Sequence, residues 1–173
     1  MAALEAGTIS TGRLTLLPLR AEHAEEVAAV LGDPDLHTFI GGAPLTPQAL
    51  RTRYERLVAG SPDPAVSWCN WVVRLDAAAR LTGTVQATVS ASADGSGGLA
   101  EIAWVVGTSW QRRGIATEAT RALVSWLAAA GVRTVVAHVH PDHTASAAVA
   151  TAAGLTPTGQ WHDGEVRWQL TTG

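Results

Sequence analysis

The amino-acid sequence predicts an α+β fold, in which helices cover both faces of a mixed, mostly antiparallel sheet of six to seven strands. In the middle of the chain, three strand-like runs follow one another with short turns, which is typical of an antiparallel meander. Further on, a long amphipathic stretch separates two strand-like runs, which indicates a helical crossover between parallel neighbours. Together these patterns favour a layered α+β sandwich.

The first third of the chain supplies one strand and two helices. Residues 13–19 are predicted to form the first strand. Residues 22–31 carry apolar side chains at helical spacing with acidic residues early, where the helix dipole favours them. The stretch 32–47 is rich in turn residues, and its length indicates a functional or mobile connection. Thr46 is the expected N-cap of a helix that ends near residue 58.

The rest of the chain contains the meander and the crossover. The meander strands are predicted at 67–75, 81–90 and 99–107. The crossover helix carries an apolar stripe and stops at Gly131; the stripe consists of Ala116, Ala119, Leu123, Leu127 and Ala130. After it come a strand, a short helix and a last strand, at 133–139, 143–153 and 165–170.

Composition limits the function classes. The 173 residues predict a single domain, 1–173, without repeats or an internal linker. A net charge of -3 argues against nucleic acid as a partner, since that binding needs a basic face. All 12 basic residues are arginine, so a Schiff-base lysine and the lysine of a Walker-type phosphate loop are excluded.

Cysteine content and hydropathy indicate a cytoplasmic protein. Cys69 is the only cysteine, which excludes an intrachain disulfide and a cysteine-rich zinc site. The first ten residues lack the basic and apolar regions of a signal peptide. No apolar run approaches the roughly 18 residues that span a bilayer, so no membrane partner is expected.

The stretch "SWQRRGIATEATR" (109–121) is the strongest functional pattern. It connects a predicted strand to a predicted helix, and the first N–H groups of a helix are unpaired and lie at the positive end of its dipole. Gly114 permits a close backbone approach, while Arg112 and Arg113 add fixed positive charge. This combination predicts an anion site.

Residues 101–155 closely resemble the core of the GNAT acetyltransferase superfamily. That core is a strand, a Q/R-x-x-G-x-G/A loop that opens a long helix, a second strand and a short helix beginning near D-x-x-A-S. Here the loop reads "QRRGIA" (111–116), and "DHTAS" begins at Asp142. The resemblance extends over about residues 10–170. The loop at 32–47 resembles the corresponding segment in the branch of the family that includes ribosomal-protein alanine N-acetyltransferases.

The resemblance implies acetyl-CoA as the acyl donor and no metal. It implies that the CoA diphosphate lies on the N–H groups of residues 112–117, and that the pantetheine arm runs beside Trp104, Val105 and Val106. The cofactor-binding residues that follow from it are Gln111, Arg112, Arg113, Gly114, Ile115, Ala116, Thr117 and His143. The chain departs from the family pattern at His143, where the family often has asparagine, and at Leu155, where it usually has phenylalanine.

Transfer of an acetyl group to a primary amine needs a neutral amine, because an ammonium group has no free electron pair. Alkyl ammonium groups titrate near ~10, so a general base assists at neutral pH. Glu101 lies three residues before Trp104, or roughly 10 Å along an extended strand, which suits a water relay; a cross-strand salt bridge is the structural alternative. Glu165 is the rival base. Ser146 corresponds to the position from which a hydroxyl can donate to the CoA sulfur in the family.

The acceptor is open between a protein N-terminus, an amino acid, an aminoglycoside-like antibiotic and a polyamine. His37 in the long connection and Trp68 on the first meander strand are the candidate acceptor-binding residues. A homodimer is also left open.

Two alternatives compete with acetyl transfer. The run "HVHPDH" (138–143) matches H-x-H-x-D-H, a zinc-binding pattern of hydrolases. Only thirty residues follow it, and His162 is their sole histidine, so few further ligands are available. The second alternative is a catalytically idle module that binds CoA.

Overall fold

The computed structural model describes residues 2–173 and contains one eight-stranded sheet with helices on both faces. The strands are β1 (Ile9–Ser10), β2 (Leu14–Pro18), β3 (Ser67–Leu75), β4 (Arg80–Ala91), β5 (Gly98–Val106), β6 (Val132–Val139), β7 (Thr156–His162) and β8 (Glu165–Thr171). The helices are α1 (Ala24–Val30), α2 (His37–Ile40), α3 (Pro47–Ala59), α4 (Ile115–Ala129) and α5 (Thr144–Ala152).

The strand order is β1-β2-β3-β4-β5-β6-β8-β7. β5 and β6 pair in parallel, and the other neighbours pair antiparallel. The predicted mixed sheet, the β3-β4-β5 meander and the crossover through α4 are therefore confirmed. Eight strands replace the predicted six to seven.

The two strands absent from the prediction lie at the edges of the sheet. β1 has only two residues. In β7, Pro157 and Gly159 interrupt the sequence pattern, and six of its seven residues are exposed. An edge strand without a buried face has no alternation of apolar and polar residues, and that alternation is the signal from which strands are predicted.

Strand alternation divides the interior into two clusters on opposite faces of the sheet. Trp71 and Val73 of β3 join the larger cluster, which α4 covers with Leu123. Val72 lies between them in sequence and joins the smaller cluster with Tyr54 of α3. The prediction of helices on both faces is confirmed.

Helix boundaries follow local chemistry. The Thr46 hydroxyl accepts a hydrogen bond from the Ala49 N–H, which confirms the predicted N-cap of α3. The connection at 32–47 contains a 3-10 turn capped by the Asp33 side chain and then the short helix α2. No helix within residues 2–173 is both long and apolar enough to cross a membrane.

Gly83 allows β4 to approach β5 closely, and this generates a stability prediction. A Cβ atom at Gly83 would lie 2.9 Å from the Val106 Cα and closer still to the Val105 carbonyl oxygen. We expect Gly83→Ala to lower the free energy of unfolding by about 1–3 kcal/mol through this overlap, as measured by urea denaturation. Gly159→Ala is the control, because a Cβ atom there meets nothing within 4 Å. Equal stability of the two variants would contradict the prediction.

Candidate active site

The parallel pairing of β5 with β6 ends partway along both strands. Cα partners run from Gly98 and Val132 to Glu101 and Val136. β5 then continues to Val106 and β6 to Val139 without pairing to each other. The two strands separate beyond this point, and a cleft opens between them.

The open edge of β5 presents the peptide groups of alternate residues. The Gly107 N–H donates to the Thr82 carbonyl at 2.8 Å, which makes these two a hydrogen-bonded pair of the β4-β5 ladder. Such pairs alternate along an antiparallel ladder, and the β4-β5 register has no shift. The N–H and C=O of Val105 therefore point toward β4, whereas the N–H and C=O of Trp104 and of Val106 point toward the cleft.

The loop after β5 delivers a helix start with free donors. Gly114 has φ 74° at the N-cap of α4, and Arg112 has φ 63°. The first helical hydrogen bond runs from the Glu118 N–H to the Gly114 carbonyl at 3.0 Å. The six backbone N–H groups of 112–117 donate no hydrogen bond to any acceptor within residues 2–173. These donors form a cradle that suits a diphosphate.

Side chains hold this loop in place. The Gln111 side-chain amide donates to the Val106 carbonyl at 3.0 Å. Glu118, in the first turn of α4, accepts from the Arg13 Nε at 2.8 Å and also from the Thr11 hydroxyl. The Arg113 guanidinium lies 5.0 Å from the centre of the Trp110 ring. The side-chain amide of Gln111 thus connects the loop to the end of β5.

The Glu118 pKa lies below its ordinary value. Burial by itself would raise this pKa, but hydrogen bonds from Thr11 and Arg13 and the Arg13 charge outweigh that effect. The carboxylate is therefore preferentially charged. It anchors the N-terminus of α4 to Thr11 and Arg13, which lie between β1 and β2.

The cleft has a volume of about 580 Å³, within the range of small-molecule sites. Glu101 and Val105 reach it on the sheet face that carries α1 and α3, because the alternate residues Ala100 and Ile102 pack into the opposite core. The floor is polar, with Asn70, Thr84, Gln86, Glu101 and His138. The facing wall is apolar, with Phe39, Ile40, Leu45, Leu50 and Leu57.

Glu101 is paired across the opening. Its Oε1 lies 3.0 Å from the Nδ1 of His138, and its side chain is 56% exposed while that of His138 is 14% exposed. The partner is on the parallel neighbour β6, two residues beyond the last paired position. Glu165, the rival base, lines the same cleft from the start of β8.

Ser146 lies at the α5 side of the cleft. Its hydroxyl is 3.4 Å from the His143 Nε2, and the His143 ring stacks on Phe39 with centroids 4.4 Å apart. Burial, and then the neighbouring His140, lower the His143 pKa. The neutral form of this imidazole is therefore favoured.

The candidate acceptor residues lie in two places. His37 lines the main cleft, with its Nε2 3.1 Å from the Leu31 carbonyl oxygen. Trp68 lines an adjoining open depression with Arg56 of α3, and this depression shares Leu45, Arg53 and Leu57 with the cleft. Trp71, on the opposite face of β3, is fully buried.

The histidines of "HVHPDH" do not converge on one point. His138 contacts Glu101, whereas His140 and His143 both contact the Phe39 ring. The His140 Nδ1 also accepts a hydrogen bond from the Asp142 N–H. Within residues 2–173, no group of three or more histidine, cysteine or acidic side chains is arranged to hold a metal ion. The hydrolase interpretation receives no support from this geometry.

Two contacts in the cleft escaped the sequence interpretation. His138 was considered only as a zinc ligand, although parallel pairing brings it to Glu101. Phe39 lay in the connection 32–47 without a role. The signal for the first was available in principle, since the predicted crossover makes the two strands neighbours; the second depends on how the connection folds back.

Comparison with known proteins agrees with this architecture. The sequence profile described as "Acetyltransferase (GNAT) domain" matches residues 13–156. The chain belongs to the GNAT acetyltransferase family, whose members use acetyl-CoA as the acyl donor. No protein with a curated description matches at the sequence level.

Solved structures show the same fold. A GNAT-family acetyltransferase from Bacillus anthracis has 19% identity and a TM-score of 0.76, covering 96% of this chain and 99% of that one. The ribosomal L7/L12 α-N-protein acetyltransferase RimL in complex with coenzyme A has 17% identity and a TM-score of 0.77, covering 95% and 98%. A ribosomal-protein-S5-alanine acetyltransferase from Vibrio fischeri has 16% identity and a TM-score of 0.78, covering 96% and 97%.

The Glu118 anchor predicts a pH-dependent contribution to stability. A carboxylate whose pKa is depressed in the folded state stabilises the fold above its unfolded pKa, and this contribution is lost as pH falls through the folded-state pKa. We expect Glu118→Gln to lower the free energy of unfolding at neutral pH by about 1 kcal/mol and to converge with the unsubstituted protein in acid. Denaturant unfolding at several pH values measures this difference.

The control is Glu55→Gln, which removes an exposed pair with Arg51 at 3.5 Å within α3. It should change stability little at any pH, because exposed pairs of this kind contribute only tenths of a kcal/mol. A Glu118→Gln difference that persists unchanged in acid would mean that its charge is not the stabilising feature.

Proposed function

We propose that the protein transfers the acetyl group of acetyl-CoA directly to a primary amine, on a small molecule or a protein N-terminus. The observation that carries this proposal is a helix start with six free N–H groups, directly after a strand whose edge is open toward a polar cleft. Family membership supports acetyl-CoA as the donor.

The residues present fit CoA. The N–H groups of 112–117 would hold the diphosphate, and Gly114 in a left-handed conformation lets the backbone approach it. Along β5, the N–H and C=O of Trp104 and the N–H of Val106 would hold the pantetheine arm as an added strand does, because the Gln111 side chain already donates to the Val106 carbonyl. Val105 would contribute only its side chain, because its peptide group faces β4. Acetyl-CoA supplies an activated thioester.

The composition of the cleft favours an amine as the acceptor. An amine donates hydrogen bonds, and the floor offers acceptors in the Glu101 carboxylate and the side-chain carbonyls of Asn70 and Gln86. The apolar wall from α2 and α3 would take the rest of the acceptor and exclude water. His37 would contact the acceptor within this cleft, and Trp68 would contact only an acceptor that extends along α3, such as a peptide.

Two side chains would then assist the transfer. Glu101 would draw the proton from the acceptor nitrogen, by itself or through a relay. The Ser146 hydroxyl, 3.4 Å from the neutral ring of His143, would donate a hydrogen bond to the departing sulfur and keep its own proton. The two groups lie on β5 and α5, at opposite sides of the cleft.

CoA should stabilise the protein, and Gly114 should control that effect. Millimolar CoA should raise the melting temperature by mass action. We expect Gly114→Val to reduce CoA affinity at least tenfold, because a β-branched residue at φ 74° is strained by about 1–2 kcal/mol and shifts the cradle. Thermal shift and calorimetry measure the two quantities.

Gly95→Val is the matched control. Gly95 has φ 72° in the turn between β4 and β5, and a Cβ atom there meets nothing within 4 Å, while one at Gly114 would meet only the end of the Arg13 side chain, at 3.5 Å. It should lower stability as much as Gly114→Val but leave CoA affinity unchanged. If both variants bind CoA equally well, the loop is not the diphosphate site.

Glu101 and Ser146 should affect the pH profile differently. An acceptor is first found by screening amines for release of free thiol from acetyl-CoA. With it, Glu101→Gln should lower kcat by about 10²–10⁴-fold and recover at high pH, where solvent deprotonates the amine. Ser146→Ala should lower kcat without such recovery, since its role concerns the sulfur.

Glu165→Gln is the control for Glu101→Gln, because Glu165 lines the same cleft. It should keep most of the activity, and both glutamate variants should bind CoA normally. The assignment of Glu101 is wrong if the loss appears in Glu165→Gln instead. Normal CoA binding without thiol release for any amine would favour the idle CoA-binding module.

A further inference from the structure

The contact between Glu101 and His138 determines the chemistry of the imidazole. An ionised carboxylate only accepts hydrogen bonds, so the His138 Nδ1, 3.0 Å away, carries the hydrogen. In a neutral ring the free electron pair then lies on Nε2. No hydrogen-bond partner within residues 2–173 takes this Nε2, although the side chain is only 14% exposed.

The ring is also held in position by its neighbours. His162 of β7 packs against it, with ring centroids 5.1 Å apart at an angle of 42°. Arg167 is its register partner on β8. A ring enclosed on these sides and bonded at Nδ1 has little rotational freedom, and it lines the cleft beside Glu101.

We propose that His138 Nε2 is the atom that takes the proton from the acceptor amine, and that Glu101 acts on it as a positioning residue. This inference rests on the proposed function and identifies the relay in it. An N–H bond of the ammonium breaks, its electron pair stays on the nitrogen, and a new N–H bond forms at Nε2. The resulting imidazolium faces the Glu101 carboxylate and returns the proton to solvent.

The proton balance of the whole transfer is consistent with this role. An ammonium and a thioester become an amide, a thiol and one free proton. The nitrogen loses two protons, of which one accompanies the departing sulfur and one leaves through His138. Glu101 is more than half exposed, and a carboxylate is in general a weaker base than an imidazole. The enclosed imidazole, with its partner charge at 3.0 Å, is better suited to take the proton.

The first test is spectroscopic and needs no acceptor. Long-range ¹H–¹⁵N NMR of the full chain should show His138 as the Nδ1–H tautomer when neutral. Glu101→Ala should abolish that preference while His162 keeps its own pattern. An Nε2–H tautomer for His138 in the unsubstituted protein would overturn the proposal, because Nε2 would have no free electron pair.

The second test is kinetic. His138→Ala should lower kcat by about 10²–10⁴-fold with an unchanged Kd for CoA, and added imidazole should restore part of the rate. His162→Ala removes a packing neighbour of His138 but leaves the base in place, so it should lower kcat by less than His138→Ala does, and added imidazole should not restore the rate. Glu101→Ala combined with His138→Ala should be no slower than His138→Ala alone, because Glu101 acts through the histidine.

The outcomes separate this inference from the proposed function. If His138→Ala keeps the full kcat while Glu101→Gln loses it, Glu101 is itself the base and the inference is wrong. If neither variant loses activity, the base lies elsewhere: this inference and the role of Glu101 are both wrong, while acetyl transfer itself stands. If the unsubstituted protein binds CoA but transfers acetyl to no amine, the proposed function fails instead. Should His138→Ala not fold, His138→Asn keeps a donor toward Glu101 but supplies no base, and it should show the same loss.

Discussion

The interruption of the parallel ladder between β5 and β6 is the constraint on which the site depends. Backbone pairing holds the two strands together as far as Glu101 and Val136, and nothing in the ladder joins them beyond. The open strand edge, the cleft and the contact between Glu101 and His138 all result from this separation. A fully paired sheet would satisfy the same peptide groups internally and leave no room for a ligand.

The alternation of strand side chains assigns each residue of β5 to one of two tasks. Ala100 and Ile102 complete the core beneath α4, whereas Glu101 and Val105 line the cleft. Stability and chemistry thus use the same strand without competing for positions. A change of one residue in register would bury the Glu101 carboxylate in the core and expose apolar side chains to solvent.

The start of α4 presents backbone donors, and arginines nearby make contacts within the protein. Arg13 neutralises Glu118 at the start of α4, and Arg113 lies over the Trp110 ring. The N–H groups of 112–117 have no partner within residues 2–173, and because they belong to the backbone, side-chain rotation does not displace them. A ligand at the proposed diphosphate site would therefore meet donors that are already ordered, which lowers the entropy cost of binding.

The sequence by itself determined the meander, the crossover helix, the loop that opens this helix and the family resemblance. These are local features, written in alternation, helical spacing and the QRRGIA loop. Glu101 and Ser146 were also identified from the sequence, and their roles stay predictions. The edge strands β1 and β7 were not predicted, because neither carries the alternation that a half-buried strand shows.

Only the tertiary structure decided which side chains meet. His138 has the spacing of a zinc ligand in the sequence, yet strand pairing brings it to Glu101, 37 positions away. Phe39 contacts His143 because the connection between α1 and α3 folds back over the cleft. Contacts of this kind depend on where strand pairing ends and how a long connection packs. Local sequence periodicity contains no information on either, because both are set by interactions between segments distant in the chain.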